Sequence, residues 1–184
     1  MDELGSRRRF IAATGTALAV GLAGCTGGDG GDGGDGGGGS DGGDGGDGDD
    51  GGAGIEVSGE ARTRVENYLT AEPAASNYDS IGTMDGMDSV TVDVGAEGNQ
   101  GSFAYAPVAI AVETGTTVDW AWTGEGGMHN VAATEDSDFD LDSGSAQEED
   151  SYSFTFEEPG VALYQCIPHK SLGMKGAVVV VGSA

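Results

Sequence analysis

A cysteine, a histidine and a methionine lie close together near the C-terminus, in a pattern that could bind a metal ion. Cys166 is followed by His169 and Met174, which gives the spacing Cys-x2-His-x4-Met. The chain contains only two histidines, and the other, His129, lies in the run Gly-Gly-Met-His-Asn. Two imidazoles, one thiolate and one weakly bound thioether are the donor set of a blue-copper electron-transfer site. The residue types and their spacing therefore predict one copper ion held by these four side chains.

These donors suit a copper ion that alternates between two oxidation states. Thiolate and thioether groups favour Cu(I), whereas imidazole binds both Cu(I) and Cu(II). A plane of two histidines and one cysteine, with a methionine on the axis, lies between the geometries that the two ions prefer, so little has to move when an electron arrives. Three donors share one short loop, and His129 comes from a distant segment. The site should therefore require the folded domain.

The Cys166–Met174 loop resembles that of the small blue-copper proteins, the cupredoxins such as plastocyanin and amicyanin. Within that group the chain resembles the halocyanins, the membrane-anchored blue-copper proteins of halophilic archaea. The resemblance spans roughly residues 58 to 182 and rests on the ligand loop and on short runs elsewhere: Asn77-Tyr78-Asp79, Val94-Gly95-Ala96, Gly115-Thr116-Thr117-Val118, Trp120-Ala121-Trp122-Thr123-Gly124, Gly126-Gly127-Met128-His129-Asn130-Val131, Phe156-Glu157-Glu158-Pro159-Gly160-Val161 and Gly173-Met174-Lys175-Gly176-Ala177.

The resemblance implies roles for particular residues. It places His129, Cys166, His169 and Met174 at the four copper-ligand positions, with one copper per chain. It also implies that the side chain of Asn130 hydrogen-bonds to the backbone beside the cysteine loop, which would tie the two ligand-bearing segments together. An ordinary turn role is the alternative for Asn130. A structural zinc site is a weaker alternative for the cluster, because such sites take four Cys or His ligands and the domain offers three.

The N-terminus has the features of an export signal. Arg7 and Arg8 belong to a twin-arginine motif, and an apolar stretch follows from residue 11 to residue 24. This stretch is too short, and too rich in Gly, Ala and Thr, to span a bilayer comfortably. The residues before Cys25 resemble a lipobox, which implies that Cys25 is lipid-modified after cleavage. An uncleaved membrane anchor is the alternative, and both interpretations tether the rest of the chain to the extracytoplasmic face of the membrane.

Composition divides the chain into three parts. Residues 1–24 are the predicted twin-arginine lipoprotein signal peptide, residues 25–54 a lipidated cysteine with a Gly/Asp-rich tether, and residues 55–184 the copper domain. The tether contains eight aspartates and no large apolar side chain, so we expect it to be disordered. Its root-mean-square span would be roughly 30 Å. The third part is long enough to form one domain.

The charge balance is strongly acidic. The formal net charge is −25, and residues 55–184 contain 22 acidic and four basic residues. This charge excludes nucleic acid as a partner, because its phosphates would be repelled. It would also destabilise the compact state at low ionic strength, whereas in molar salt the Debye length falls to about 3 Å and most repulsion is screened. The composition is therefore typical of a protein from a halophile, and docking to a basic partner is a second explanation.

Short apolar runs separated by glycines predict an all-β domain. Ser58 is a candidate N-cap for a short helix over residues 60–70. The acidic segment 135–150 is predicted to be an exposed loop. Eight runs have the length and patterning of strands: Ser89–Val94, Phe103–Tyr105, Val108–Val112, Thr117–Thr123, Met128–Ala132, Tyr152–Phe156, Val161–Cys166 and Ala177–Val181. Together they predict a cupredoxin-like antiparallel Greek-key β-sandwich of seven or eight strands with a short N-terminal helix.

Three classes of function fit a copper-binding domain. A copper oxidase or nitrite reductase needs further histidines for a second copper centre, and this chain has none left. A copper-holding or delivery protein would carry clusters of methionines or cysteines, for which Met84 and Met87 are the only pair. A one-electron carrier needs one copper and no substrate. We therefore expect a monomeric, non-enzymatic carrier between membrane-bound redox proteins, its donor and acceptor, with electrons passing through His169 and the apolar surface around it.

Overall fold

The structure is a computed structural model that describes residues 54–183. Arg7, Arg8, Cys25 and the predicted tether up to residue 53 lie outside the described residues. The first element is helix α1, Gly59–Thr70, which begins after the N-cap Ser58. The Ser58 hydroxyl oxygen accepts a hydrogen bond from the amide of the third helical residue at 3.2 Å, which satisfies one of the free N–H groups of the first turn.

Nine strands follow in the described part of the chain, and two of them contain only two residues. They are β1 Gly82–Thr83, β2 Ser89–Gly98, β3 Gly101–Ala106, β4 Ala109–Glu113, β5 Thr117–Trp122, β6 Ala132–Ala133, β7 Ser151–Thr155, β8 Gly160–Gln165 and β9 Lys175–Val181. One sheet has the strand order β1-β4-β9-β8-β6, and the other has the order β3-β2-β5-β7. The main core lies between these two sheets and contains side chains from both.

Side-chain alternation decides which face of each strand enters the core. In β2, Val90, Val92 and Val94 are buried and the residues between them are exposed. Strand β9 is buried on both faces, because Val178 contacts the main core while Val179 packs in a second cluster with α1. The helix therefore covers the outer face of one sheet. Within residues 54–183, no helix has the length and the apolar character needed to cross a membrane.

The predicted β-sandwich with a short N-terminal helix is confirmed, but its sheets are mixed rather than antiparallel. Strands β1 and β4, β4 and β9, and β2 and β5 pair in parallel. Parallel pairs join segments that are distant in the sequence, so no local turn signal marks them. Of the predicted strand Met128–Ala132, only Ala132 lies in a strand, β6, while His129 forms an isolated bridge with Gln147. The two-residue strand β1 was not predicted.

The acidic segment 135–150 is not the freely exposed loop that its composition suggested. Leu141 is only 2% exposed and belongs to the main core. Isolated β-bridges join His129 to Gln147 and Ala132 to Asp142. Apolar residues spaced among the acidic ones point inwards, while most of the acidic side chains remain in solvent. The segment therefore packs along the chain that carries the first predicted copper ligand.

Candidate metal centre

Cys166 follows directly after β8 and lies at one end of the main core. Ala162, Tyr164 and Cys166 alternate along this strand, and all three are completely buried in the same cluster. The Cys166 amide donates a hydrogen bond to the carbonyl oxygen of Met174 at 3.0 Å. This bond extends the antiparallel pairing of β8 with β9 by one step. The two predicted sulfur donors are therefore connected through the backbone.

The loop between Cys166 and Met174 is a compact turn that its own backbone stabilises. The His169 amide donates to the Cys166 carbonyl oxygen at 3.1 Å, and the Leu172 amide donates to the His169 carbonyl oxygen at 2.9 Å. Gly173 ends the short 3-10 turn with a φ of 90°, a left-handed conformation that favours glycine. The turn brings the half-buried His169 ring back over the cysteine.

His129 reaches the same place from the other side of the sandwich. After β5 the chain turns through Gly124, Gly126 and Gly127, which all have positive φ angles. The His129 side chain is 1% exposed, and its Nε2 lies 2.9 Å from the carbonyl oxygen of Glu125. A carbonyl oxygen can only accept, so Nε2 carries the proton and donates it. Because a neutral imidazole has one N–H, Nδ1 keeps its lone pair, as a metal ligand must.

Three donor atoms converge on one point. His129 Nδ1 and His169 Nδ1 are 3.1 Å apart, and Cys166 Sγ lies 3.7 Å from the first and 3.5 Å from the second. The centre of such a triangle lies about 2.0 Å from each corner, close to the 2.0–2.3 Å at which imidazole and thiolate bind a transition metal. Among the described residues, this is the cluster of His, Cys and acidic side chains that could hold a metal. The arrangement fits a single copper ion.

Met174 lies beside this triangle. Its side chain is completely buried in the core cluster that also contains Cys166. Its amide donates to the carbonyl oxygen of His169 at 3.3 Å, while its own carbonyl oxygen accepts from the Cys166 amide. These two backbone bonds connect Met174 to two of the converging residues. Met174 is therefore a buried thioether-bearing residue whose backbone adjoins two of the three converging residues.

Burial determines the protonation of the three converging side chains. It lowers the pKa of His129, and it lowers the pKa of His169 together with the nearby His129 ring. It raises the pKa of the Cys166 thiol. Both imidazoles are therefore neutral and can donate lone pairs, whereas the thiol keeps its proton until a metal displaces it. Metal binding should release that proton.

Asn130 connects the two ligand-bearing segments. Its Oδ1 accepts a hydrogen bond from the Ile167 amide at 2.8 Å, and its Nδ2 donates to the Gly144 carbonyl oxygen at 3.1 Å. The first bond joins the residue after His129 to the residue after Cys166, which is the type of contact that the resemblance implied. Since Asn130 is 6% exposed, water competes little for these bonds. The side chain therefore restricts the distance between histidine and cysteine.

Two aromatic side chains beside the site were not predicted to lie there. The ring of Phe103, on β3, has its centroid 4.7 Å from that of His169. The indole N–H of Trp122 donates to the carbonyl oxygens of His129 and Gln147, both at 3.1 Å. Their aromatic character was the only signal in the sequence, and it does not distinguish a residue beside a ligand from one in the core.

Comparison with known proteins gives a consistent result. The family described as copper binding proteins, plastocyanin/azurin family, matches residues 90–181. Halocyanin from Natronomonas pharaonis is 45% identical over 177 residues, which cover 95% of this chain and 97% of that protein. Plastocyanin from Dryopteris crassirhizoma is 33% identical over 108 residues, which cover 48% of this chain and 97% of that protein.

Among solved structures, a variant of amicyanin in the Cu(I) state is 29% identical with a TM-score of 0.42, covering 51% of this chain and 83% of the other. The segment that matches the family, residues 90–181, contains all four predicted ligands, His129, Cys166, His169 and Met174. Half of the chain matches the family, and nearly the whole chain aligns with halocyanin. This chain therefore belongs to the blue-copper proteins of the plastocyanin/azurin family, with halocyanin as a close relative, and copper is its cofactor.

Proposed function

We propose that the protein is a membrane-anchored one-electron carrier with a single type 1 copper site and no enzymatic activity. His129, Cys166 and His169 would hold the copper ion, and Met174 would supply a weaker fourth donor through its thioether. The observation that carries the proposal is the convergence of the first three donors at the end of a packed core. Copper, when bound, supplies the one-electron couple between Cu(II) and Cu(I). The backbone bonds and the burial of these residues hold the same donor arrangement for both states.

The surface around His169 supports electron entry and exit at that residue. His129 and Cys166 are buried, whereas the His169 ring is partly exposed. Four large apolar side chains are exposed within residues 54–183, and three of them flank the ligands; we call these three the apolar rim: Met128 57%, Ile167 45% and Leu172 44% exposed. A group of exposed apolar residues around a functional residue is typical of an interaction site. We therefore place partner docking on the apolar rim.

The charges near the apolar rim indicate the chemistry of the partner. Glu148, Glu149 and Asp150 are exposed and follow Gln147, whose backbone pairs with that of His129. A membrane-bound redox protein with an apolar contact surface bordered by basic residues would complement this arrangement. In molar salt the charges are screened over about 3 Å, so the apolar contact contributes most of the binding.

The first test is the visible spectrum of the full chain with Cu(II) in molar salt, together with the copper stoichiometry. An intense blue colour at one copper per chain supports thiolate ligation and the carrier function. Copper that binds without the blue colour, or that a chelator removes readily, contradicts the carrier function and favours a copper-holding or delivery protein.

Replacing His169 with glycine should slow electron transfer and leave a site that external imidazole can restore. We expect electron self-exchange between two copies of the chain, measured by NMR in molar salt, to fall by about tenfold or more, equivalent to about 1.4 kcal/mol of barrier. Added imidazole should return the blue colour, because the vacated position opens to solvent. Normal self-exchange in the variant without imidazole would exclude His169 as the electron route.

The corresponding variant of the buried histidine is the matched control. His129→Gly also removes one imidazole ligand, but His129 is 1% exposed and lies beneath the glycine turn. External imidazole should restore this variant much less than His169→Gly. Equal rescue of the two variants would contradict the assignment of His169 as the surface ligand.

We propose that Arg7 and Arg8 direct export and that lipid on Cys25 anchors the protein to the extracytoplasmic face of the membrane. Two acyl chains give stable anchoring, because each buried CH₂ contributes about 0.8 kcal/mol. In a host with twin-arginine export, the wild-type chain should sediment with membranes, whereas Cys25→Ser should be at least about tenfold depleted from them. If both sediment equally, the apolar stretch before Cys25 is the anchor instead.

A further inference from the structure

Helix α1 is connected to the ligand loop by Lys175, which directly follows Met174. Lys175 is 8% exposed, and its Nζ donates to the carbonyl oxygens of Ala71 at 2.8 Å and Tyr68 at 3.2 Å. Its ammonium group also lies 5.2 Å from the centroid of the Tyr68 ring. The end of a helix carries unpaired carbonyl groups and a partial negative charge. The last turn of α1 contains no basic residue of its own. Lys175, the first residue of β9, supplies the positive charge at this end of the helix.

The position of Lys175 in the sheet relates it to both sulfur ligands. It follows Met174 directly and pairs with Gln165, which directly precedes Cys166. A change in the position of Lys175 relative to α1 therefore moves the strand ends that carry Cys166 and Met174. Exposed lysines are free to move, but this one is fixed by two hydrogen bonds in a buried environment.

Two further contacts connect the same region to the copper loop. The Tyr68 hydroxyl donates to the carbonyl oxygen of Tyr164 at 2.8 Å, two residues before Cys166. Gly173 packs so closely on the backbone of Ala74 that a Cβ atom on Gly173 would overlap the Ala74 carbonyl oxygen. The helix and the residues after it precede the segment that matches the family, residues 90–181. They are therefore an addition that contacts both sides of the ligand loop.

We propose that α1 holds the copper ligands in register and that Lys175 is the positioning residue through which it acts. The proposal rests on the ligand assignment of the proposed function and extends it to a residue that does not touch the metal. The hydrogen bonds of Lys175 connect the start of β9 to the end of the helix. They thereby fix the position of Met174 relative to Cys166, both with and without the metal. Helix α1 therefore packs in the core and also helps to position the metal ligands.

The test is Lys175→Met in the full chain, which keeps the length and the apolar part of the side chain but removes both hydrogen bonds. We expect Cu(II) affinity to fall about 10- to 100-fold, the usual effect of losing a group that positions metal ligands. The visible spectrum of the Cu(II) form should change, because the sulfur ligands shift. In the metal-free protein, hydrogen exchange of the Cys166 amide should accelerate by about tenfold or more, since bonds to charged groups are the stronger ones.

Arg64→Met is the matched control. Arg64 also connects α1 to the rest of the domain, through an ion pair with Asp138 at 2.6 Å. Asp138 accepts a hydrogen bond from the amide of Val161, near the end of β8 that is remote from Cys166. This variant should lower the melting temperature but leave the Cu(II) spectrum, the Cu(II) affinity and the exchange of the Cys166 amide unchanged.

The outcomes separate a positioning role from a merely structural one. If both variants lose stability and neither changes the spectrum, the affinity or the amide exchange, the proposal is wrong. If Lys175→Met does not fold, Lys175→Gln decides, because its side chain is one bond shorter, carries no charge and cannot keep both hydrogen bonds to the carbonyl oxygens of Tyr68 and Ala71. Unchanged copper affinity and an unchanged spectrum in that variant would overturn the proposal. A wild-type chain without blue colour would instead count against the proposed function, and the metal-free exchange measurement would still test the role of Lys175.

Discussion

Replacing Cys166 with serine should leave the copper-loaded protein colourless. Its copper affinity should fall by more than about 100-fold, because removing a ligand costs more than the 10- to 100-fold lost when a group that positions a ligand is removed. The blue colour arises from charge transfer from the thiolate to Cu(II), and a serine hydroxyl stays protonated at neutral pH. The domain should still fold, because serine is small, although its buried hydroxyl costs about 1–3 kcal/mol without a partner. Visible spectroscopy and a copper competition titration of the full chain in molar salt measure both effects.

The second cysteine of the chain provides the control. Cys25→Ser should keep the full blue colour and the wild-type copper affinity, since Cys25 is assigned to the lipid anchor and not to the metal. Loss of the colour in Cys25→Ser, or a blue Cys166→Ser protein, would be incompatible with the ligand assignment. The pair of variants therefore distinguishes the fates of the two cysteines in one experiment.

Replacing Gly126 with alanine should disrupt the site from the histidine side. Gly126 has a φ of 79°, and a Cβ there would overlap the carbonyl oxygen of Ser102 and lie 2.9 Å from Nε2 of His129. Since Nε2 donates to Glu125, displacing the ring also breaks the bond that keeps Nδ1 available for the metal. We expect copper affinity to fall by about 10- to 100-fold. The melting temperature and a Cu(II) titration of the full chain measure the effect.

Gly127→Ala is the control for Gly126→Ala, because it adds the same backbone strain without the steric overlap. Gly127 has a φ of 84°, but a Cβ there would have no atom within 4 Å. Gly127→Ala should therefore cost only the left-handed strain, about 1–2 kcal/mol of stability, with copper affinity unchanged. Equal copper affinities in the two alanine variants would show that crowding at His129 does not control the site.

The ligand types and the fold class could be predicted because their signals are local. The spacing of Cys166, His169 and Met174 lies within a single loop, and each predicted strand was indicated by a short apolar run between glycines. The helix over residues 60–70 was predicted from the candidate N-cap Ser58. The parallel strand pairs were not predicted, since each joins segments separated by a crossover that leaves no local pattern.

By itself the sequence determined which four side chains could bind copper, that the domain is a β-sandwich, and that its surface is strongly acidic. Residue type, loop spacing and charge are properties of short segments, so they can be recognised without knowing how the chain packs. Only the tertiary structure decided the protonated nitrogen of His129, the distances in the donor triangle and the attachment of α1 through Lys175. The protonated nitrogen depends on the Glu125 carbonyl oxygen, which the glycine turn brings to Nε2 of His129. The distances in the donor triangle depend on a contact across 37 residues between His129 and Cys166, and the attachment of α1 depends on one across 107 residues between Tyr68 and Lys175, which only folding brings together.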